Sequence, residues 1–510
     1  MERELKLELQ QDQADALLAL PLVAACCVEP PHEALLVSTY FDTPGLHLRQ
    51  HGVSLRVRRA GAHFVQTLKT HGTSQAGLYA REEFESAVSS DRPDLELLRP
   101  LVPEATELGM MIREGDLADQ LQPVFVTDVQ RTVALLRLPQ GGEVELALDR
   151  GIVQAGNATA PIRELEMEIQ AGDTAHLYAF ALQLLALIPM RLSRVSKADR
   201  GYELMAGARL EVARARPLRL GQRDTVEAAF QAIARNCLAQ ICGNERGVMI
   251  GDVPESVHQM RVGLRRLRSA LDLFSPSIGR PCGLEAEISW IAEELGPARD
   301  WEVLANATLP AVLEGAPEDL LADPLRAAAA AMAGEKRRHA AQAVDSERYT
   351  RLVLELGRWL ESAGWRQGLD EAQCASLTGS AIDFALARLH ERHRRLLQRG
   401  RGLAGLDPRR LHRARIAAKK LRYATEFFGP LYPQKRTRRY RGTLARLQDD
   451  LGWRNDMTVA DGLLGRLQKE QQEACAGASY ARGYIAALVS ADKEALRRIW
   501  KRFKAISLPL

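Results

Sequence analysis

The chain has 510 residues, of which 46% are hydrophobic, 26% charged and 5% aromatic, a globular composition too long for one core, so two or three domains are expected. No apolar run reaches the ~18–20 residues that span a bilayer, and the opening segment is acidic and alternating, so neither a membrane span nor a secretory leader is expected. The net charge of +4 hides an asymmetry: residues 1–200 hold 19 Lys/Arg against 28 Asp/Glu, and residues 201–510 hold 50 against 37. An acidic half joined to a basic half points to a cation and a polyanion as their respective partners. Seven cysteines without paired metal-ligand spacing fit a reducing, cytoplasmic compartment without structural disulfides.

In chain order, Glu2, Glu4, Lys6 and Glu8 alternate with Arg3, Leu5, Leu7 and Leu9, which predicts a strand with one charged and one mostly apolar face. Residues 11–27 read as a helix that Pro21 interrupts. Strands follow at Leu35–Phe41, Val53–Arg59, His63–Thr70 and Leu78–Val88, with a turn at Asp42–Gly45. Arg56 and Arg58 share a face, Lys69 lies in phase with Val65 and Thr67, and Arg81 lies in phase with Glu83 and Glu85. Residues 91–121 read as loops and short helix. Strand character returns at Phe125–Leu138 with Arg131, at Glu143–Leu148 with Glu143 and Glu145 in phase with Asp149, and at Ile162–Ile169 with Glu164, Glu166 and Glu168. Residues 173–188 form an amphipathic helix, and a basic segment follows at Arg191, Arg194, Lys197 and Arg200.

At least five strands thus carry charge on one side and apolar residues on the other. Like charges opposed on neighbouring strands are destabilising in an open, solvated sheet. They become reasonable in a closed antiparallel barrel whose charged face lines a tunnel. Carboxylates there suit a hard divalent cation, Mg²⁺ or Mn²⁺, and Arg and Lys suit phosphate oxygens. A tunnel with both is built for a metal-bound polyphosphate, one end of which a polarised water attacks.

The ordered set Glu2-Arg3-Glu4-Leu5-Lys6, Tyr40–Pro44, Leu55–Arg58, Thr67–Lys69, Arg81-x-Glu83, Thr127–Arg131, Ala147–Gly151, Glu164–Glu168 and Ser196–Tyr202 resembles the CYTH superfamily of triphosphate tunnel metalloenzymes, most closely bacterial inorganic triphosphatases. The resemblance implies a catalytic set of Glu2, Glu4, Lys6, Arg56, Arg58, Lys69, Arg81, Arg131, Lys197 and Arg200. It implies that Glu2, Glu4, Glu164 and Glu166 hold Mg²⁺ or Mn²⁺, with inorganic triphosphate as substrate. The same superfamily includes adenylate cyclases and thiamine-triphosphate hydrolases, so a nucleotide or thiamine triphosphate is the alternative substrate.

Residues 204–222, rich in Arg, Ala and Pro, read as a linker between a domain at 1–203 and a helical one at 223–508. In the latter, His258-x-x-Arg261-x-x-x-Arg265-Arg266-Leu267-Arg268 reappears as His412-x-x-Arg415-x-x-x-Lys419-Lys420-Leu421-Arg422, and Leu295-Gly296-x-x-x-Asp300 as Leu451-Gly452-x-x-x-Asp456. Two repeats, 223–370 and 378–508, are expected. Each places His and three cations on one helical stripe, where like charges repel unless an anion offsets them. The basic clusters lack interleaved aromatics, which favours a phosphate chain over single-stranded bases, and no specific nucleic acid is expected. These stripes resemble the CHAD domain. That resemblance implies a pair of helical bundles with a basic groove for long-chain inorganic polyphosphate, contacted by His258, Arg261, Arg265, Arg266, Arg268, His412, Arg415, Lys419, Lys420 and Arg422. It implies a cytoplasmic protein able to associate with polyphosphate granules. A non-catalytic polyphosphate-binding protein is the other reading of the whole chain. The fold class expected is α+β, a closed barrel followed by two repeated helical bundles.

Overall fold

The computed structural model describes residues 2–10, 13–70, 72–207, 210–251, 253–317, 320, 322–403 and 407–508. The chain divides into two compact units, one of residues 1–210 with Asp345–Ser362, the other of Glu211–Val344 with Ala363–Leu510.

The first unit is built on an antiparallel sheet of β1 (Glu2–Glu8), β2 (His32–Asp42), β3 (Val53–Ala60), β4 (His63–Thr70), β5 (Thr73–Gln75), β6 (Leu78–Arg81), β7 (Glu83–Val88), β8 (Gln122–Arg137), β9 (Glu143–Ala155), β10 (Ala158–Ala171) and β11 (Arg191–Leu192). The strand order is β5-β6-β1-β10-β9-β8-β2-β3-β4-β7, with β11 beside the end of β1. The helical segment expected over 11–27 is divided where Pro21 interrupts it, into short helices α1 (Ala14–Leu18) and α2 (Pro21–Ala24) with the break at Leu20; Gln11 and Asp12 lie outside the described residues. The remaining helices are α3 (His47–Gln50), α4 (Leu95–Leu98), α5 (Glu107–Met111), α6 (Leu117–Gln120), α7 (Thr174–Leu185) and α8 (Lys197–Ala206).

The sheet is not the closed barrel that the charge pattern predicts. It is an open, strongly curled half-barrel whose ladder ends at β5 on one side and β7 on the other. The segment expected as one strand over 78–88 is divided at Glu82. Its first part pairs with β1 (Glu2 opposite Arg81) and its second with β4 (Lys69 opposite Glu83). The outer edge of β6 is taken by β5, a three-residue strand turned back at Gly77, whose φ of +79° favours glycine. Among the described residues no ladder joins β5 to β7. Curling alone supplies the concavity.

The period of two decides which side faces what. Leu55 and Val57 of β3 pack with Phe41 and Leu68 against Leu95, Leu98 and Met111 of α4 and α5 on the convex side, so Arg56 and Arg58 face the hollow. Leu5, Leu7, Leu165 and Met167 are fully buried, so Lys6 and Glu166 face the hollow too. Helix α8, started by a capping box between Ser196 and Asp199, covers one end, where Tyr202 meets Phe125 and Phe125 stacks on Tyr40.

The second unit is helical: α9 (Val226–Cys242), α10 (Glu245–Ile250), α11 (Pro254–Phe274), α12 (Cys282–Val303), α13 (Leu309–Leu313) and α14 (Asp323–Val344), then, after α15 (Glu347–Glu361), α16 (Glu371–Thr378), α17 (Ala381–Arg399), α18 (Pro408–Phe428), α19 (Gln434–Glu470), α20 (Cys475–Ala491) and α21 (Lys493–Lys504). Helix α15 groups with the first unit, where the Tyr178 ring of α7 fills the space a side chain at Gly357 would need. One core of the helical unit joins Trp301, Leu309, Leu325, Leu464 and Ile485; another stacks Phe230, Phe274, Phe384 and Phe428. Thr225 and Ser380 cap α9 and α17 alike, each accepting from the backbone N–H three residues on, and the two caps pair with each other. No helix among the described residues is long and apolar enough to cross a membrane. Among the described residues, Cys26, Cys27, Cys237, Cys242, Cys374 and Cys475 form no disulfide.

Candidate active site and anion groove

The hollow of the half-barrel encloses a cavity of about 450 Å³ lined by Glu4, Lys6, Arg56, Arg58, Lys69, Arg81, Arg131, Glu166 and Lys197 among others. Cations and carboxylates alternate through it in one buried network. Lys6 Nζ lies 2.6 Å from Glu166 Oε1 and 3.1 Å from Glu4 Oε1. Arg131 donates two bonds to Asp149, at 2.7 and 2.6 Å, and one of 2.6 Å to Glu166 Oε2. Lys197, projecting from the first turn of α8, lies 2.8 Å from each of Asp149, Glu164 and Glu166. Arg81 pairs with Glu4.

Burial by itself would push these carboxyls up. The cations overcome it: Lys197, Lys6 and Arg131 hold Glu166 well below the usual carboxylate range, Lys6 and Arg81 lower Glu4, and Lys197 and Arg131 lower Asp149. All three are therefore anions at neutral pH.

The other wall is differently balanced. Lys69 Nζ lies 2.5 Å from Glu83, which Arg56 approaches only to 3.7 Å. Glu85 accepts from Thr67 Oγ1 at 2.7 Å. Arg58 has no hydrogen-bond or ion-pair partner among the described residues, its Nε being buried and unmatched. The neighbouring Arg56 guanidinium, with burial and Arg131, pushes Arg58 down to about 10. Glu85 offsets that charge only in part, so this wall keeps a positive surplus at Arg56 and Arg58.

Most of the expected site residues meet in this cavity. Of the four carboxylates assigned to a metal, Glu4 and Glu166 line it. Glu164 does not: it is fully buried beneath Lys197 and Arg200. For Glu2 only the backbone is described, opposite Arg81. Arg200 also stands off the lining, spanning Glu164, Glu8 and the Pro161 carbonyl. Glu145 and Glu168 face the cavity side by side across β9 and β10, whereas Glu143, at the end of β9, pairs with the exposed Arg137. Ser54, Ser196 and Ala198 line the cavity without having been singled out; the alternation of β3 points Ser54 there, and α8 brings the other two. Asp42 is a turn anchor, accepting from the Thr43, Leu48 and Arg49 N–H groups and from Tyr202 Oη.

Among the described residues no three His, Cys, Asp or Glu side chains stand close enough to hold a metal between them. The donors that do line the cavity are carboxylate oxygens, without His or Cys, and such a set fits a hard divalent cation.

The helical unit brings the two sequence stripes together. Arg265 Nε of α11 donates to Tyr423 Oη of α18 at 3.4 Å. Around that contact stand Arg261, Arg299, Arg415 and Lys419, with Asp300 and Asp456 near Arg261 and Arg415. Burial, then Arg415 and Arg265, pushes Lys419 down to about 7. Burial, then Arg299, pushes His258 down to about 4, so its ring is neutral at neutral pH. His412, Arg268 and Arg422 are exposed at the ends of the stripes.

Arg266 and Lys420 depart from the expected set. Arg266 is 1% exposed and fully engaged, with Glu426 at 2.9 Å and Gln240 and Asn236 at 2.8 Å each. Lys420 lies 3.1 Å from Asp272. The two pairs are related by the repeat: Arg266 of α11 reaches Glu426 of α18, and Lys420 of α18 reaches Asp272 of α11. They bind the repeats to each other. The helical turn puts each about 100° from its neighbour in the stripe, and so on another face.

Comparison with known proteins agrees with this division. Residues 1–202 match the CYTH domain and residues 232–465 the CHAD domain. The chain is a CYTH domain fused to a CHAD domain. The chain is 33% identical over 175 residues to a Haemophilus influenzae protein described as an inorganic triphosphatase, covering 34% of this chain and 47% of that one. The chain thus spans about half the length of that relative. An uncharacterized Mycobacterium tuberculosis protein is 27% identical over 440 residues, 80% of this chain and 79% of its own. The crystal structure of the CHAD domain from the plant Ricinus communis is 40% identical with a TM-score of 0.53, covering 59% of this chain and 99% of that domain.

Proposed function

We propose that the CYTH domain hydrolyses inorganic triphosphate to diphosphate and phosphate, and that the CHAD domain holds the protein on long-chain polyphosphate. The observation that carries the first part is the cavity itself: buried cations, one of them unmatched, face a wall of carboxylates held as anions. The similarity of the chain to a protein described as an inorganic triphosphatase supports it.

Phosphoryl oxygens of a linear triphosphate would be taken by Arg56 and Arg58, with Lys69 and Arg81 drawn from Glu83 and Glu4 and Arg131 and Lys6 completing the grip. Glu4 and Glu166, with Glu2 and Glu164 in support, would hold a divalent cation, Mg²⁺ or Mn²⁺, which when bound would supply charge neutralisation and polarisation of the phosphoryl group. The cavity carboxylates orient a water through its hydrogens. Its oxygen bonds to a terminal phosphorus as the bridging P–O bond breaks, diphosphate leaves, and the water proton passes to a carboxylate oxygen. Lys197 and Arg200 hold α8 over Glu164 and Glu166, keeping bulk water from that end.

For the CHAD domain, the supporting observation is the cluster of Arg261, Arg265, Arg299, Arg415 and Lys419, none of which has a carboxylate within 4 Å among the described residues. A string of phosphates offsets such a cluster in a way that two nearby aspartates do not. The test is phosphate release from triphosphate by the full chain with Mg²⁺ or Mn²⁺, beside binding of long-chain polyphosphate by wild type and Arg265→Glu. Turnover together with a weakened Arg265→Glu complex is expected. No turnover removes the first part, and unchanged affinity the second.

A further inference from the structure

The two helical repeats share their central stripes but not their outer faces. Helices α9 and α17 begin at equivalent caps, yet α9 carries one arginine, Arg235, where α17 carries five. The opening turns of α12 contain Glu285 and Glu287; those of the matching α19 contain Lys435, Arg436, Arg438, Arg439 and Arg441. The final helix, α21, adds Arg497, Arg498, Lys501, Arg502 and Lys504. An excess confined to one repeat is not explained by a groove to which both contribute.

These three helices form one surface. His393 Nδ1 of α17 lies 2.7 Å from Tyr440 Oη of α19. The Tyr440 ring meets Phe503 of α21 at 6.2 Å, and Trp500 of α21 occupies the space beside Gly400 where a Cβ would stand 2.1 Å from the ring. The aromatic and apolar residues are thus spent in packing: Leu496 and Phe503 are fully buried and Tyr440 nearly so. That leaves no apolar face on α21 to enter a membrane and no aromatic platform for unpaired bases. What faces outward is cationic. Arg388 and Arg395 share Glu391, and Arg497 pairs with Glu494. Arg394, Arg438, Arg439, Arg441, Arg498 and Lys501 are exposed without an acidic partner among the described residues. A hollow of about 650 Å³ runs along α17 beside Arg388, His390, Arg394 and Arg395.

We propose that this outer face of the second repeat is an additional anchoring surface for long-chain inorganic polyphosphate, reached only by chains long enough to extend from the central groove. The proposal rests on the groove being a polyphosphate site. Helix α19 runs from one region to the other, with Arg438 on the outer face and Asp456 in the groove, roughly 27 Å apart along its axis. A short chain held in the groove leaves the outer face empty; a long one engages both, gaining avidity and releasing more counterions. Arginine in such numbers, with its flat fork of donors and no stacking partner, suits a bare string of phosphates.

The experiment measures binding of two linear polyphosphates, one long and one too short to bridge the two regions, by the full chain over a range of salt. The variants are Arg438→Glu/Arg439→Glu/Arg441→Glu, Arg498→Glu/Lys501→Glu and Arg265→Glu. Either outer-face variant is expected to weaken the long chain at least tenfold and flatten its salt dependence, while leaving the short chain unaffected. Two outer variants on separate helices keep the test valid if one fails to fold. Loss of short-chain binding in Arg265→Glu, with residual long-chain binding that the outer variants abolish, supports both sites. If Arg265→Glu changes neither chain, the groove reading fails, and the outer face is judged by its own variants. Unchanged long-chain affinity and salt slope in both outer variants overturn the proposal. The same titrations are run with duplex DNA, and outer-face variants that lose DNA binding while keeping long-chain polyphosphate binding overturn it as well.

Discussion

Arg58 offers a perturbation in which stability and activity should move in opposite directions. It stands in the cavity without a partner, facing Arg56. Held at about 10, well below the usual guanidinium value, its charge costs the folded chain roughly 3 kcal/mol relative to the unfolded one. Both values lie above neutrality, so the cost is fully present at pH 7 and is relieved only as pH rises through about 10. Arg58→Met keeps the stem and removes the charge. After discounting for partial exposure and lost packing, the variant should be about 1–2 kcal/mol more stable than wild type, raising the melting temperature of the unit by a few degrees. The same change would remove the phosphate ligand proposed for this wall, and on that reading should lower kcat/KM for triphosphate by about 10²–10³. Denaturant unfolding and phosphate release, measured on the same preparation, test both halves. A destabilised variant, or a stabilised one with full turnover, would refute the argument that Arg58 is held strained for the substrate.

Three further outcomes follow from the packing. A phosphate polymer should return Lys419, held near 7 in the free groove, to its charged form. Polyphosphate affinity should then be full below pH 7 and fall about tenfold between pH 6 and pH 8, and Lys419→Arg should flatten that profile; an equal slope in the variant places the proton elsewhere. Arg266→Met leaves Glu426, Gln240 and Asn236 without their donor, and should cost about 3–5 kcal/mol in equilibrium unfolding. Unchanged stability with weaker polyphosphate binding would instead make Arg266 a ligand. A Cβ at Gly201 would lie 2.2 Å from the Phe125 ring; Gly201→Ala should destabilise the CYTH domain by about 1–3 kcal/mol and slow triphosphate turnover by loosening α8, and wild-type values for both would contradict that role.

Alternation made the hollow legible. Leu5 and Leu7 must bury, and once they do Glu4 and Lys6 have one direction left; Arg56, Arg58, Lys69 and Arg131 follow in the same way. Parity does not report depth. Glu164 and Glu166 share a face, but Glu164 is sealed by α8, a helix that reads in sequence only as a basic segment. Nor does parity report closure: the run over 78–88 alternates smoothly through Glu82, where the backbone leaves one edge of the sheet for the other. In the CHAD domain the repeat revealed both stripes, and adjacent basic pairs concealed that Arg265 joins the cluster with Arg415 and Lys419 while Arg266 ties the repeats together. That distinction depends on Glu426, 160 residues away.

The central claim is that the cavity of the half-barrel turns over triphosphate. Its most direct test is phosphate release from triphosphate, ATP and long-chain polyphosphate, with Mg²⁺ or Mn²⁺, by the full chain and by Glu4→Gln. The account predicts rapid turnover of triphosphate, little of ATP, and loss of turnover in Glu4→Gln. Turnover of ATP in preference to triphosphate, or a Glu4→Gln variant as active as wild type, would contradict it. So would polyphosphate binding with no hydrolysis of any substrate.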